Sequence, residues 1–77
     1  MSDARSATKM DQRVGRKLRA ARNKAGLSQQ KLARKIGITF QQLQKYEKAT
    51  NRISAGRLYC FAKTLDKPLD YFFTAGR

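Results

Sequence analysis

The sequence contains no histidine and a single cysteine, Cys60. A zinc site is built from sets of Cys and His, so no metal is expected. One cysteine cannot close an intrachain disulfide, and Cys60 is expected to behave as a small buried apolar residue. Without histidine, the commonest general base is missing, and no acid pair or base-assisted nucleophile replaces it. The chain therefore does not read as an enzyme, and no cofactor is expected. No apolar run approaches the roughly 18 residues that a membrane span requires. The N-terminus lacks the apolar stretch of a signal peptide, so a cytoplasmic location is expected. Acidic residues are also scarce, five against 18 Lys and Arg. Strand-like alternation and internal repeats are lacking.

What is present is positive charge. The net charge is +13 on 77 residues, with a pI near 10.8. Such a surface repels itself unless it meets a polyanion, which points to nucleic acid or an anionic membrane. The charge is not gathered in a tail: residues 11–25 alone carry six bases and one acid. It is not gathered on one long amphipathic helix either, which argues against a membrane surface. The length fits one small domain, able to bury about 60–65% of the unfolded chain's surface. Residues 1–10 are small and polar and read as a flexible arm, leaving 11–77 as the folded domain.

Along that domain the pattern is helical throughout. Val14, Leu18, Ala21 and Ala25 fall at spacings of four, three and four, predicting a helix over 11–25 with one apolar stripe. Gly26 suits the left-handed position after it. Ser28 is a good N-cap for a helix over 29–36, with Leu32, Ala33 and Ile36 on one face and Gly37 as its stop. Thr39, with Gln42 three residues on, reads as a capping box opening a helix from Phe40 to about Lys48. Leu43, Tyr46 and Glu47 share one side of it, while Gln41, Gln44, Lys45 and Lys48 face away. Ser54 caps a fourth helix over 55–65, with Ile53 and Leu58 spaced as a hydrophobic staple. Pro68 follows its end, and Leu69 to Phe73 reads as a short final helix.

Two short helices joined by a tight turn containing Gly form a helix-turn-helix. Here the turn is Gly37-Ile38-Thr39, and the helix after it offers Gln41, Gln42, Gln44, Lys45 and Lys48 to solvent. Glutamine can pair bidentately with adenine, and lysine suits guanine or a phosphate. Inside a +13 domain, this arrangement predicts double-stranded DNA binding with one helix in the major groove.

The run GLSQQKLARKIGITFQQLQKYEKATNRIS, residues 26–54, resembles the Xre/Cro type of lambda-repressor-like helix-turn-helix proteins. The resemblance extends over about residues 13–73. It implies an all-α fold of five short helices and a role as a transcriptional regulator, in particular a repressor. It further implies a homodimer on a palindromic operator. Gln29 matches a position that contacts phosphate and braces the recognition helix, with Gln30 beside it. Phe40, Gln41 and Lys45 match positions that reach base edges, and Gln42 lies near backbone or bases. Thr39 and Lys48 flank that helix and are expected to bind DNA with it, and Arg52 matches a loop position that touches phosphate. Arg22 and Glu47 match a structural ion pair between the first and third helices. Phe40 stands where a polar residue is commoner; it either touches a thymine methyl or folds inward. Ala49 replaces a frequent glycine.

The C-terminal third holds more large apolar side chains than so small a core can absorb. Tyr59, Phe61, Tyr71, Phe72 and Phe73 are therefore expected to form a dimer face. Two readings compete with the regulator. One is a nucleic-acid binder without sequence preference. The other is an antitoxin or adaptor that acts through a protein partner.

Overall fold

The computed structural model describes residues 7–75. Four α-helices follow one another: α1 Lys9–Lys24, α2 Gln29–Ile36, α3 Phe40–Glu47 and α4 Ala55–Leu65. A single 3-10 turn, Leu69–Phe72, stands where a fifth helix was expected. No strand occurs among the described residues.

Each helix starts where a side chain can satisfy orphan backbone donors. Ser28, Thr39 and Ser54 accept from the backbone N–H three residues on, at 3.0, 3.1 and 3.1 Å. At Thr39 only this forward bond forms, so the expected reciprocal box is half realised. The full box lies at α1 instead. The Thr8 hydroxyl accepts from the Asp11 N–H, and the Asp11 carboxylate accepts from the Thr8 N–H, both at 3.0 Å. Helix α1 thus begins two residues before the expected boundary. Lys9 and Met10, read from the sequence as part of the arm, lie in its first turn. The arm's residues 1–6 lie outside the described residues.

The core gathers Val14, Leu18, Ala21, Leu32, Ala33, Leu43, Tyr46, Leu58, Phe61, Ala62, Leu65 and Phe72. Leu18, Leu32, Leu43, Phe61 and Phe72 are fully enclosed. Tyr46 meets Phe61 edge to face at 6.0 Å between centroids, an arrangement aromatic quadrupoles favour. Several expectations change here. Ala25 is exposed, and the buried face of α1 runs through Gly15 and Arg22 instead. Cys60 is exposed rather than buried, because the inner face of α4 is set by Leu58, Phe61, Ala62 and Leu65. Phe61 and Phe72 do not reach the surface. They fill the centre of the core, so they drop out of the expected dimer face.

Gly15 is where α1 and the end of α3 touch backbone to backbone. A Cβ there would lie 2.7 Å from the Glu47 carbonyl oxygen and 2.8 Å from that of Tyr46. The glycine costs α1 about 1 kcal/mol of helix propensity, but no other residue permits this approach. The final turn is tied down by polar contacts. The Tyr71 ring lies between the ammonium groups of Lys17 and Lys67, at 4.2 and 4.8 Å, and Arg13 donates to the Phe73 carbonyl at 3.0 Å.

Candidate nucleic-acid interface

The candidate site is built on α2, the turn and α3. Gly37 takes φ +89°, a left-handed conformation that glycine adopts without a Cβ penalty. Its N–H and that of Ile38 both return to the Ala33 carbonyl, at 2.8 and 3.0 Å, closing α2. Ile38 packs on the core. The turn is thereby fixed, and α3 leaves it with Leu43, Tyr46 and Glu47 buried.

The opposite side of α3 is polar. Gln41 and Lys45 are exposed, Lys48 just beyond the helix is exposed, and Gln42 and Gln44 are half-buried. Thr39 and Gln30 are also exposed, so these residues of α2, the turn and α3 are open to a ligand. Phe40 is half-buried and packs against the core cluster, leaving part of the residue at the surface.

Beneath this surface lies an ion pair that the sequence had suggested. Arg22 Nε donates to Glu47 Oε2 at 2.6 Å and an Arg22 terminal nitrogen donates to Oε1 at 3.1 Å. The pair is buried, with each residue 8% exposed. A third Arg22 bond runs to the Leu27 carbonyl at 2.9 Å. The guanidinium therefore joins α1, the approach to α2 and the end of α3. Geometry of this kind, bidentate and with a further donor used on a carbonyl, is what a buried pair needs to offset desolvation.

Two glutamines extend the network. Gln29 Nε2 donates to Glu47 Oε1 at 3.0 Å, and Gln44 Nε2 donates to Gln29 Oε1 at 3.3 Å. Sequence reading placed Gln44 on the solvated face; it is instead half-buried and bonded to Gln29. The missed signal is its spacing, one turn after Phe40 and three residues before Glu47. Arg19, Arg22, Ser28, Gln29, Gln44, Glu47 and Lys48 line one polar cleft of about 440 Å³.

Arg52 lies in the loop after α3, exposed, with its Nε donating to Asp11 Oδ2 at 2.9 Å. The Asp11 carboxyl sits below its ordinary 3.8, chiefly because the Thr8 backbone N–H bonds it, with the Thr8 hydroxyl and Arg52 adding to the effect. Ala49, which begins this loop, takes φ +62° where glycine would be relaxed. Among the described residues no group of His, Cys, Asp or Glu could hold a metal, and no helix is long and apolar enough to cross a membrane.

Comparisons with known proteins agree with this geometry. A family model described as Helix-turn-helix matches residues 18–72. A transcriptional regulator in the ATPase CF(0) region of Rhodospirillum rubrum is 52% identical over 73 residues, covering 95% of this chain and 68% of that protein. An HTH-type transcriptional regulator of Rickettsia conorii is 55% identical over 65 residues, covering 84% of this chain. The chain spans 52% of that second relative's length. Among solved structures, the restriction-modification controller protein C.AhdI from Aeromonas hydrophila superposes with a TM-score of 0.75 at 27% identity, over 80% of this chain and 94% of that one. Because that family match spans residues 18–72, more than half of its length, the chain belongs to the helix-turn-helix family.

Proposed function

We propose that this protein is a transcriptional regulator that binds double-stranded DNA sequence-specifically, with α3 in the major groove. The observation that carries this reading is the division of α3. Its buried side is locked to α1 and α2 through Leu43, Tyr46 and the Glu47 ion pair, while Gln41 and Lys45 stand exposed on its other side. A rigid helix with exposed amide and ammonium groups is what direct readout requires.

In this reading Gln41 and Lys45 meet base edges. Gln29, Gln30, Thr39, Gln42, Lys48 and Arg52 contact the DNA backbone or lie beside it and set the register. Phe40 supports the start of α3 from the inside. The net charge of +13 releases counterions on binding, so affinity falls steeply with salt. The regulator acts by occupying its site, as a repressor where that site overlaps a promoter.

Met10, Leu69 and Phe73 are 42%, 47% and 38% exposed. They help to line an apolar depression of about 260 Å³. This surface supports a homodimer, which would set two α3 helices about 34–36 Å apart on a palindromic operator. Tyr59, on α4, is 56% exposed.

The test is selection from random duplexes at about 150 mM salt, with wild type and Gln41→Ala in parallel. The expected result is a palindromic site for wild type and loss of preference at one base pair of each half-site for the variant. Binding without any enriched sequence would refute specific readout.

A further inference from the structure

The hydrogen bonds around Glu47 assign a role to Gln44 that its position on α3 does not announce. A carboxylate only accepts. Glu47 Oε1 lies 3.0 Å from the Gln29 side chain, so the Gln29 amide must turn its nitrogen toward Glu47. Its oxygen is then left facing α3, where Gln44 donates to it at 3.3 Å. Gln44 thereby holds the Gln29 amide by the one atom that Glu47 cannot hold. An amide nitrogen carries two protons. Glu47 takes one, and the second remains for a ligand in the cleft that Gln29 shares with Arg19, Ser28 and Lys48.

The charges fit this arrangement. Glu47 would repel a phosphate brought to the cleft, but Arg22 neutralises it from beneath with two bonds, at 2.6 and 3.1 Å. Gln44 donates to Gln29, Gln29 donates to Glu47, and Arg22 donates to Glu47 from the other side, so the bonds converge on the carboxylate. Donation from Gln44 to the Gln29 carbonyl polarises that amide, which makes its outer N–H a better donor.

We propose that Gln44 is a positioning residue: it fixes the Gln29 amide so that a DNA backbone phosphate is bound, and it does not itself read a base. This rests on the reading of α3 as the DNA helix. It predicts that Gln44 affects all sequences alike, although it sits on the helix that distinguishes them.

The experiment is a double-mutant cycle with Gln44→Ala, Gln29→Ala and the combination. Binding is measured to the duplex enriched by wild type and to a scrambled duplex of equal length, across a salt series, with thermal melts to confirm folding. Losing one neutral hydrogen bond corresponds to about 3- to 10-fold in affinity. Gln44→Ala is expected to weaken both duplexes by a similar factor in that range. In the Gln29→Ala background it should cost less than about 2-fold, the signature of two residues acting through one contact. Gln44→Met, which keeps the length but removes the donor without adding charge, should resemble Gln44→Ala on both duplexes. Independent costs, or relaxed preference at a single base pair with Gln44→Ala, would overturn the assignment while leaving DNA recognition by α3 intact. Failure of wild type to bind either duplex would overturn both readings together.

Discussion

Removing Glu47 perturbs the chain where stability and site geometry meet. In Glu47→Ala the Arg22 guanidinium keeps only its bond to the Leu27 carbonyl at 2.9 Å. It stays in a site where the side chain was 9% exposed. Breaking a buried pair from one side costs about 3–5 kcal/mol, because a charge is left without its partner. A 77-residue domain has about 4–12 kcal/mol in total, so this single change removes a large part of it. For a domain of this size each kcal/mol moves the melting temperature by about 4–8 °C, giving an expected fall of roughly 12–40 °C. The companion is Arg22→Met with Glu47→Leu. Replacing both charges with apolar groups of similar size is often neutral or stabilising, so the double variant should return to within about 1–2 kcal/mol of wild type. It should still bind DNA more weakly, because Gln29 has lost its acceptor. Thermal and urea unfolding by circular dichroism measure the first effect, and fluorescence anisotropy with labelled duplex measures the second. A double variant no more stable than Glu47→Ala, or a single variant within about 1 kcal/mol of wild type, would refute the reasoning.

Other outcomes follow from the same structure. Gly15→Ala places a methyl group against two backbone carbonyls that cannot swing aside. Overpacking costs about 1–3 kcal/mol, and the regained helix propensity offsets about 1, so thermal melts should show a net loss. Ala49→Gly relieves a left-handed alanine but surrenders a buried methyl, so chemical denaturation should show a gain no larger than about 1 kcal/mol. Asp11 has its carboxyl held below 3.8 in the fold, so it contributes stability above that pH which is lost as pH falls through the folded value. Asp11→Asn should flatten that acid limb in melts run from neutral to acidic pH. Cys60 is exposed, so the folded protein should react with a thiol reagent at a rate close to that of the unfolded chain, and Cys60→Ser should change stability by less than about 0.5 kcal/mol.

The helices were legible because each announces itself locally. Ser28, Thr39 and Ser54 mark three starts, and Gly37 marks a stop that the backbone uses at φ +89°. The start of α1 was not legible in the same way. Its Thr8–Asp11 box lies in a polar segment with no apolar period beyond it toward the N-terminus, so hydrophobic spacing placed the boundary too late.

What depends on distant packing was harder to read. Gly15 looks like an unremarkable glycine in a helix until α3 is laid across it. Counting large side chains suggested a surface patch, but Phe61 and Phe72 fit inside because the chain folds back through Pro68 to seat the final turn on α1 and α4. Of the candidate site, the pair Arg22 and Glu47 was suggested by resemblance, but its burial was not. Gln44 was missed because helical periodicity gives a direction and not a partner: the bond to Gln29 exists only once α2 and α3 are set at their angle.

The most direct test of the account is to map where the duplex touches the protein. Amide chemical-shift changes should be recorded for isotope-labelled protein titrated with the enriched duplex, at a salt concentration where binding is saturable. The account predicts that the largest changes cluster at Gln29 and Gln30, along Thr39 to Lys45, and at Lys48 and Arg52, with α4 little affected. Changes concentrated instead on α4 and the final turn would contradict it, since the surface meeting DNA would then not be the helix after the glycine turn.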